Sequence, residues 1–186
     1  MKRGKLMKKP RFITILSACC AILMCSVTQV SASTSTPRFI DNDSNVSGYS
    51  NNRTGFSEYM SLSSLYNGDA RIQSPCNSGS YYYYNFPNVQ VTANSLSVQV
   101  KAYLNHSRFN DPEANYYVCV NTDDVYYYIG KINQDIAISG WNPIQRSVPN
   151  GYKLNGRYYI DSCYVKSSGT SGCSTGADAV YVTAIY

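Results

Sequence analysis

Side chains able to do acid–base or nucleophilic chemistry are few in this sequence. The one histidine, His106, falls in the polar turn Asn105-His106-Ser107, and nothing at a recognisable spacing would make it the base of a positioned nucleophile. Carboxylates pair at Asp111 and Glu113 and at Asp123 and Asp124, but both pairs lie in turns, where acids usually solvate and cap. A glycosidase needs two carboxyls across a cleft, which spacing alone does not provide. GxSxG, HExxH and P-loop patterns are absent. An enzyme is therefore not expected, nor a cofactor. Oxygen-rich loops suit calcium, and Asp178 with Asp41 or Asp43 would supply carboxylates if the first and last strands are neighbours. EF-hand spacing is missing, however, and no metal is expected.

The remaining chemistry is that of tyrosine. All 19 tyrosines follow residue 32, and they come in runs: Tyr81 to Tyr84, Tyr116 and Tyr117, Tyr126 to Tyr128, Tyr158 and Tyr159. Successive strand residues point to opposite faces, so a run of four sends two rings inward and two outward. A phenol ring has a flat apolar face and a hydroxyl at its edge, which suits stacking on the C–H face of a sugar while hydrogen-bonding its rim. For any single ring the simpler reading is a cross-strand pair contributing roughly 0.2–1 kcal/mol to the sheet. Tyr103 and Tyr127 are the candidate carbohydrate-binding residues. Tyr103 lies on the polar face of its strand, and Tyr127 is flanked by Tyr126 and Tyr128, whose side chains point the other way. Trp141, the sole tryptophan, follows a Gly turn and reads as a core or sheet-end residue. Asp178, between two alanines, reads as structural, satisfying backbone donors or positioning a loop.

What positions these residues begins after a leader. Met1 to Arg11 carries six basic residues and no acid, an apolar run follows from Phe12 to Val27, and Val30-Ser31-Ala32 is a small-residue cleavage site. Residues 1–32 therefore read as a signal peptide, 33–37 as a short arm and 38–186 as one domain. A membrane anchor and a lipoprotein signal at Leu16-Ser17-Ala18-Cys19 are the competing readings. Six of the 16 Lys and Arg residues leave with the leader and none of the 11 acids do, so the mature chain is close to neutral. Its basic residues are scattered singly, which excludes the electrostatic footprint of a nucleic-acid binder. After cleavage no membrane association is expected, and the chain is secreted or held at the cell surface.

Cys76, Cys119, Cys163 and Cys173 remain in the mature part. An even number in an exported chain reads as two disulfides with three possible connectivities. Cys163 with Cys173, closing a Ser/Gly-rich loop, and Cys76 with Cys119 are the favoured pairs. Free thiols are the alternative.

Ser95 to Leu104 shows the clearest pattern. Leu96, Val98, Val100, Ala102 and Leu104 share one face, with Ser97, Gln99, Lys101 and Tyr103 on the other. Such a strand needs an antiparallel sheet packed on one side. Further strands are read at 38–41, 70–73, 80–86, 114–120, 125–132, 141–148, 157–165 and 177–185. A polar loop is expected through Thr54, Phe56 to Tyr66 is ambiguous between helix and strand, and Asn85-Phe86-Pro87-Asn88 is a breaker. The fold class is all-β, a two-layer antiparallel β-sandwich with a jelly-roll topology.

At this point a family resemblance is carried by ordered motifs. They are Phe39-Ile40-Asp41-Asn42-Asp43, Gly55-Phe56-Ser57, Tyr66-Asn67-Gly68-Asp69-Ala70-Arg71, Tyr82-Tyr83-Tyr84-Asn85-Phe86, Gly140-Trp141-Asn142 and the late Gly176-Ala177-Asp178-Ala179-Val180. Together they resemble golvesin C-terminal-like domains, also described as carbohydrate-binding-like domains of the xanthan lyase type. The sequence departs where a tryptophan is expected near Tyr59 or Met60, in its cysteines, and in consisting of this one domain. The resemblance implies a non-catalytic module whose partner is a polysaccharide or cell-wall glycan. A structural or protein-binding role in the cell envelope is the other expectation.

Overall fold

A computed structural model describes residues 32–43, 46–121 and 124–186; the expected leader, apart from Ala32, lies outside them. Within the described residues the chain forms twelve strands: β1 (Arg38–Ile40), β2 (Ser50–Thr54), β3 (Glu58–Ser61), β4 (Asp69–Gln73), β5 (Tyr81–Val91), β6 (Leu96–Leu104), β7 (Ala114–Cys119), β8 (Tyr126–Ile132), β9 (Gly140–Val148), β10 (Tyr158–Lys166), β11 (Thr175–Ala177) and β12 (Val180–Ile185). Two short 3₁₀ turns, Tyr66–Gly68 and Asn150–Tyr152, are the only helical segments among the described residues. None of the described residues forms a helix long and apolar enough to cross a membrane.

The strands form an all-β, jelly-roll-like sandwich in which every pairing is antiparallel. A four-stranded sheet runs β1-β12-β6-β9, a five-stranded sheet runs β2-β5-β10-β7-β8, and a three-stranded sheet runs β11-β4-β3. The pleat explains the core. Alternate residues of β6 from Leu96 to Leu104 are buried and those between are half-exposed, as a strand with one apolar face requires. Val98 and Val100 are fully buried, and sealing each from water stabilises the fold by roughly 1.5–3 kcal/mol. From the five-stranded sheet, Tyr82, Tyr84, Tyr116, Val118, Cys163 and Val165 enter the same cluster. The tyrosine run thus divides as alternation demands: Tyr82 and Tyr84 are 1% exposed, while Tyr81 and Tyr83 remain half-exposed on the outer face.

Several expected boundaries move. Ser50–Thr54, read as loop, is the edge strand β2, because its backbone pairs with Tyr81 to Asn85 even though its side chains are polar. The ambiguous segment resolves into β3 and the first 3₁₀ turn. β5 does not stop at Pro87. The strand continues through it at a bulge, where the register with β10 shifts between Ile160 and Ser162, so the missing N–H interrupts no regular ladder position.

The expected disulfide pairing also changes. Cys76 bonds Cys173, 97 residues away with a Cα separation of 5.3 Å, and Cys119 and Cys163 are buried free thiols. The pleat is the reason. Cys163 sits opposite both Tyr84 and Val118 and so faces the core, whereas Cys119, next to Val118 in the chain, faces the outer side of the same sheet. Neither thiol can reach the other or the loop that carries Cys173. The arm at 33–37 continues the sheet edge, with Thr34 bridging Ile185 and the Ser35 N–H donating to the Ala184 carbonyl.

Candidate functional site

On the outer face of the five-stranded sheet the register lines up tyrosines from four strands. Tyr83 of β5 lies opposite Tyr164 of β10, Tyr164 opposite Tyr117 of β7, and Tyr117 opposite Tyr128 of β8. Asn52 of β2 extends the row beyond Tyr83. Tyr81 and Tyr126 flank it, so six half-buried rings form one continuous strip. Tyr164 is its hub, with ring centroids 4.7 Å from Tyr117, 4.8 Å from Tyr83, 5.0 Å from Tyr126 and 6.4 Å from Tyr81. The Tyr117–Tyr164 pair is stacked at 12°, and the other contacts are tilted or edge-to-face. At about 4.8 Å per strand the row crosses some 14 Å of sheet.

The strip is polar at its rim and uncharged at its centre. Thr54, Asn85, Asn115 and Lys166 occupy neighbouring register positions, and Lys131 is paired with Glu113. Burial raises the Tyr126 phenol to about 12, and it raises the Tyr164 phenol further, assisted by Tyr117 and Tyr83. These groups stay neutral at any physiological pH. Tyr126 also shares a 3.1 Å hydrogen bond with Ser162. Beneath the strip, burial raises the Cys119 thiol to about 12, so it is not a nucleophile.

Neither tyrosine singled out from the sequence lies on this strip. Tyr127 pairs with Val118 and therefore turns toward the core side, where its ring meets Tyr152 at 5.0 Å beneath the Arg146 guanidinium. Its neighbours Tyr126 and Tyr128 take the outer face. Tyr103 belongs to a second aromatic group on the outer face of the four-stranded sheet. It meets Trp141 at 5.2 Å and Tyr66 at 5.5 Å, and Phe39 and Tyr181 complete the group. Trp141 is half-buried at the start of the edge strand β9. The strip itself is foreshadowed in the sequence only by its tyrosine runs, because its members come from strands far apart in the chain.

The carboxylates fall into two kinds. Asp111 is fully buried and accepts hydrogen bonds from the Glu113 N–H, the Ser168 N–H and the Thr175 hydroxyl, which fixes the loop before β11. His106 accepts the Arg108 N–H at 3.0 Å, and Arg108 is paired with Glu58. These groups hold loops together. Elsewhere, Asp41, Asp43 and Asp69 bring carboxylate oxygens within 4.8 Å of one another. Asp178, 2% exposed, lies beside them and accepts the Tyr66 N–H at 3.0 Å, while Asn67 donates to Asp41. Burial raises Asp41 to about 6 and Asp178 to about 8.

No family model matches the chain, and no curated protein is significantly similar to it. Among solved structures it is similar to a xanthan lyase from Paenibacillus, at 16% identity and a TM-score of 0.49, over 79% of this chain and 13% of the lyase. A xylan-binding module, CBM15, aligns at 13% identity and a TM-score of 0.43 over 81% of this chain and 97% of its own. The family 32 carbohydrate-binding module of C. perfringens NanJ, in complex with galactose, aligns at 11% identity and 0.42, over 79% and 99%. At these values the likeness is one of β-sandwich architecture and assigns no family.

Proposed function

We propose that this chain is a non-catalytic module, secreted or held at the cell surface, that binds polysaccharide or cell-wall glycan along the outer face of its five-stranded sheet. The resemblance of its ordered motifs to golvesin-type domains supports this reading. The observation that carries the reading is the in-register row Tyr83, Tyr164, Tyr117 and Tyr128. A stable sheet needs cross-strand pairs but has no need to leave four neutral phenols in one outward row. Half-buried rings are held rigid by their neighbours, so little side-chain entropy is lost when a ligand lies on them. Each ring offers an apolar face to a sugar C–H surface and a hydroxyl to its rim. With Asn52, Asn85 and Asn115 alongside, the face offers amide donors and acceptors beside the rings, which suits recognition of a hydroxyl-rich ligand.

The test is affinity gel electrophoresis against soluble polysaccharides with a parallel pull-down on purified cell wall, comparing wild type with Tyr81→Ala/Tyr128→Ala. Retardation lost in the variant is the expected result. No retention of the wild type on any polysaccharide or wall preparation overturns the reading. A stable complex with an envelope protein, indifferent to added sugar, favours a protein-binding role for the same face.

A further inference from the structure

Beyond the Tyr83 end of the tyrosine row lies a polar cleft of about 630 Å³ at the edge strand β2. Asn51 and Arg53 pair with Tyr84 and Tyr82, so they share the inward side of the pleat, away from the row. Asn52 between them pairs with Tyr83 and extends the row, yet it also lines the cleft. Row and cleft therefore meet across a single edge strand.

The cleft holds two cations. Arg53 is exposed and Arg71 of β4 half-buried, and among the described residues neither guanidinium takes part in a salt bridge. Both draw the Tyr82 phenol downward against the burial that raises it to about 12, so both lie within electrostatic reach of one hydroxyl. Arg71 sits over the Tyr59 ring at 4.8 Å, a contact that orients its fork without neutralising it. One carboxylate, Asp43, shares the wall. Burial and the nearby Asp69 make it hold its proton more tightly than usual, which weakens it as a rival for the guanidiniums.

A separate observation comes from the amides. Asn42 is 3% exposed and lines the cleft, yet neither its Nδ2 nor its Oδ1 has a hydrogen-bond partner among the described residues. Asn51 donates its Nδ2 proton to the Asp41 carbonyl at 3.1 Å, but its Oδ1 is buried and unpartnered, as is Arg71 Nε. The Tyr82 hydroxyl donates to the Asn42 carbonyl and so fixes the segment that carries the orphan amide. Buried polar atoms in native proteins are satisfied with few exceptions, so unmet atoms on three residues of one cleft describe the ligand that meets them. Asn42 Nδ2 and Arg71 Nε need acceptors, whereas Asn42 Oδ1 and Asn51 Oδ1 need donors.

Building on the glycan-binding role proposed for the tyrosine row, we propose that this cleft receives a uronic acid unit of an acidic glycan, its carboxylate held by Arg71 and Arg53 and its hydroxyls by the amides of Asn42 and Asn51. A guanidinium fork meets a carboxylate with two parallel charge-assisted hydrogen bonds. Two cations facing one weakened carboxylate match a single added negative charge, which favours a carboxylate over a phosphate dianion. The amide oxygens reject a ligand made of acceptors alone, so the anion must arrive with hydroxyl groups, as it does on a sugar ring. A chain lying along the row from Tyr128 to Tyr83 would pass Asn52 and bring its next unit over the cleft.

The experiment is calorimetric titration of the full chain with a galacturonic acid trimer, the same trimer methyl-esterified, a sulfated neutral trimer and inorganic phosphate. The acidic trimer should bind about tenfold more tightly than its ester, and the preference should shrink as salt is raised from about 50 to about 500 mM. Arg53→Gln, at an exposed position, should bring the two trimers within about twofold of each other while keeping the wild-type melting temperature. Arg71→Lys, which keeps the charge and loses the fork, should reduce the preference in the same direction. Tyr81→Ala/Tyr128→Ala should weaken both trimers and preserve their ratio. Equal affinity of the wild type for the acidic trimer and its ester overturns the cleft assignment, and leaves the row standing if neutral polysaccharide is still retarded. No binding of the acidic trimer up to about 10 mM, tighter binding of phosphate or of the sulfated trimer, or an unchanged ratio in both arginine variants overturns it as well. Arginine-dependent binding of the acidic trimer without retardation by any polysaccharide would remove the row and keep the cleft.

Discussion

Tyr164→Ala is the variant whose outcome the structure constrains most tightly. Its ring touches four others, at 4.7, 4.8, 5.0 and 6.4 Å, so its removal leaves Tyr83, Tyr117 and Tyr126 without their common neighbour. Aromatic pairs contribute about 0.5–1.5 kcal/mol each beyond the area they bury, so losing the four contacts of the hub should destabilise the fold by about 2–6 kcal/mol. Tyr128 contacts one ring, Tyr117, at 5.3 Å and lies beneath Arg146, so Tyr128→Ala should cost about 0.5–1.5 kcal/mol. Tyr164→Phe keeps the ring contacts and should stay within about 1 kcal/mol of wild type. Urea unfolding followed by circular dichroism gives these values, with unchanged slopes required so that the differences report stability. Glycan retardation measured on the same proteins separates packing from recognition: Tyr128→Ala should lose binding while still folded, and Tyr164→Ala should lose both. If Tyr164→Ala is no more destabilising than Tyr128→Ala, the six rings are not a coupled unit and the argument for a rigid platform fails.

Other outcomes follow from the same coordinates. Cys76→Ser or Cys173→Ser opens a covalent loop spanning 97 residues and should cost about 2–5 kcal/mol, read as a fall in urea midpoint that matches the reduced wild type. Cys119 and Cys163 should resist iodoacetamide at pH 8 in the native protein and label fully in denaturant, as peptide mapping would report, because burial raises the Cys119 thiol to about 12 and the Cys163 thiol further. Gly176→Ala would place a methyl 2.2 Å from the Phe109 ring, so it should cost about 1–3 kcal/mol or more by overpacking. Burial also raises the phenols of Tyr84, Tyr116, Tyr126 and Tyr164. Such groups bind their protons more tightly when folded, so the stability they contribute is complete below about pH 10 and is lost as pH rises through their folded values. A urea midpoint that holds from pH 7 to pH 9 and falls above about pH 10 is expected, and a midpoint rising above pH 10 would contradict it.

Alternation was readable from the chain wherever one face is apolar and the other polar. β6 is the clear case, since a shift of one residue would bury Lys101 and expose Val100. Facing direction was not readable in the tyrosine runs, where every residue has the same chemistry. In Tyr126 to Tyr128 the choice between the middle ring and the outer two depends on β8 pairing Tyr127 with Val118, a contact no local pattern encodes. The cysteine pairing is hidden for the same reason: loop length near Cys163 favours Cys173, but the pleat turns Cys163 toward Tyr84. Pro87 and the polar Ser50–Thr54 misled because propensity is overridden by a bulge in one case and by backbone pairing at an edge in the other.

Inward and outward side chains of the sandwich answer to different demands. Side chains that fold inward are fixed by the demand for a dry core, so Tyr82, Tyr84 and Tyr116 have little freedom to change. Outward positions carry no such demand: toward the Leu96 end of β6 the outer face is satisfied by Ser97 bonded to Ser147 and Gln99 to Gln145, while its other end carries the Tyr103–Trp141 group. Those two pairs show outward contacts that only stabilise the sheet: small or flexible polar residues meeting across the strands. The row from Tyr83 to Tyr128 supplies far more rigid apolar surface than such pairing needs, and half of it still faces water, where it gives up hydrophobic free energy that a ligand would recover. A surface kept in that condition across four strands is most simply understood as one that is covered when the protein works.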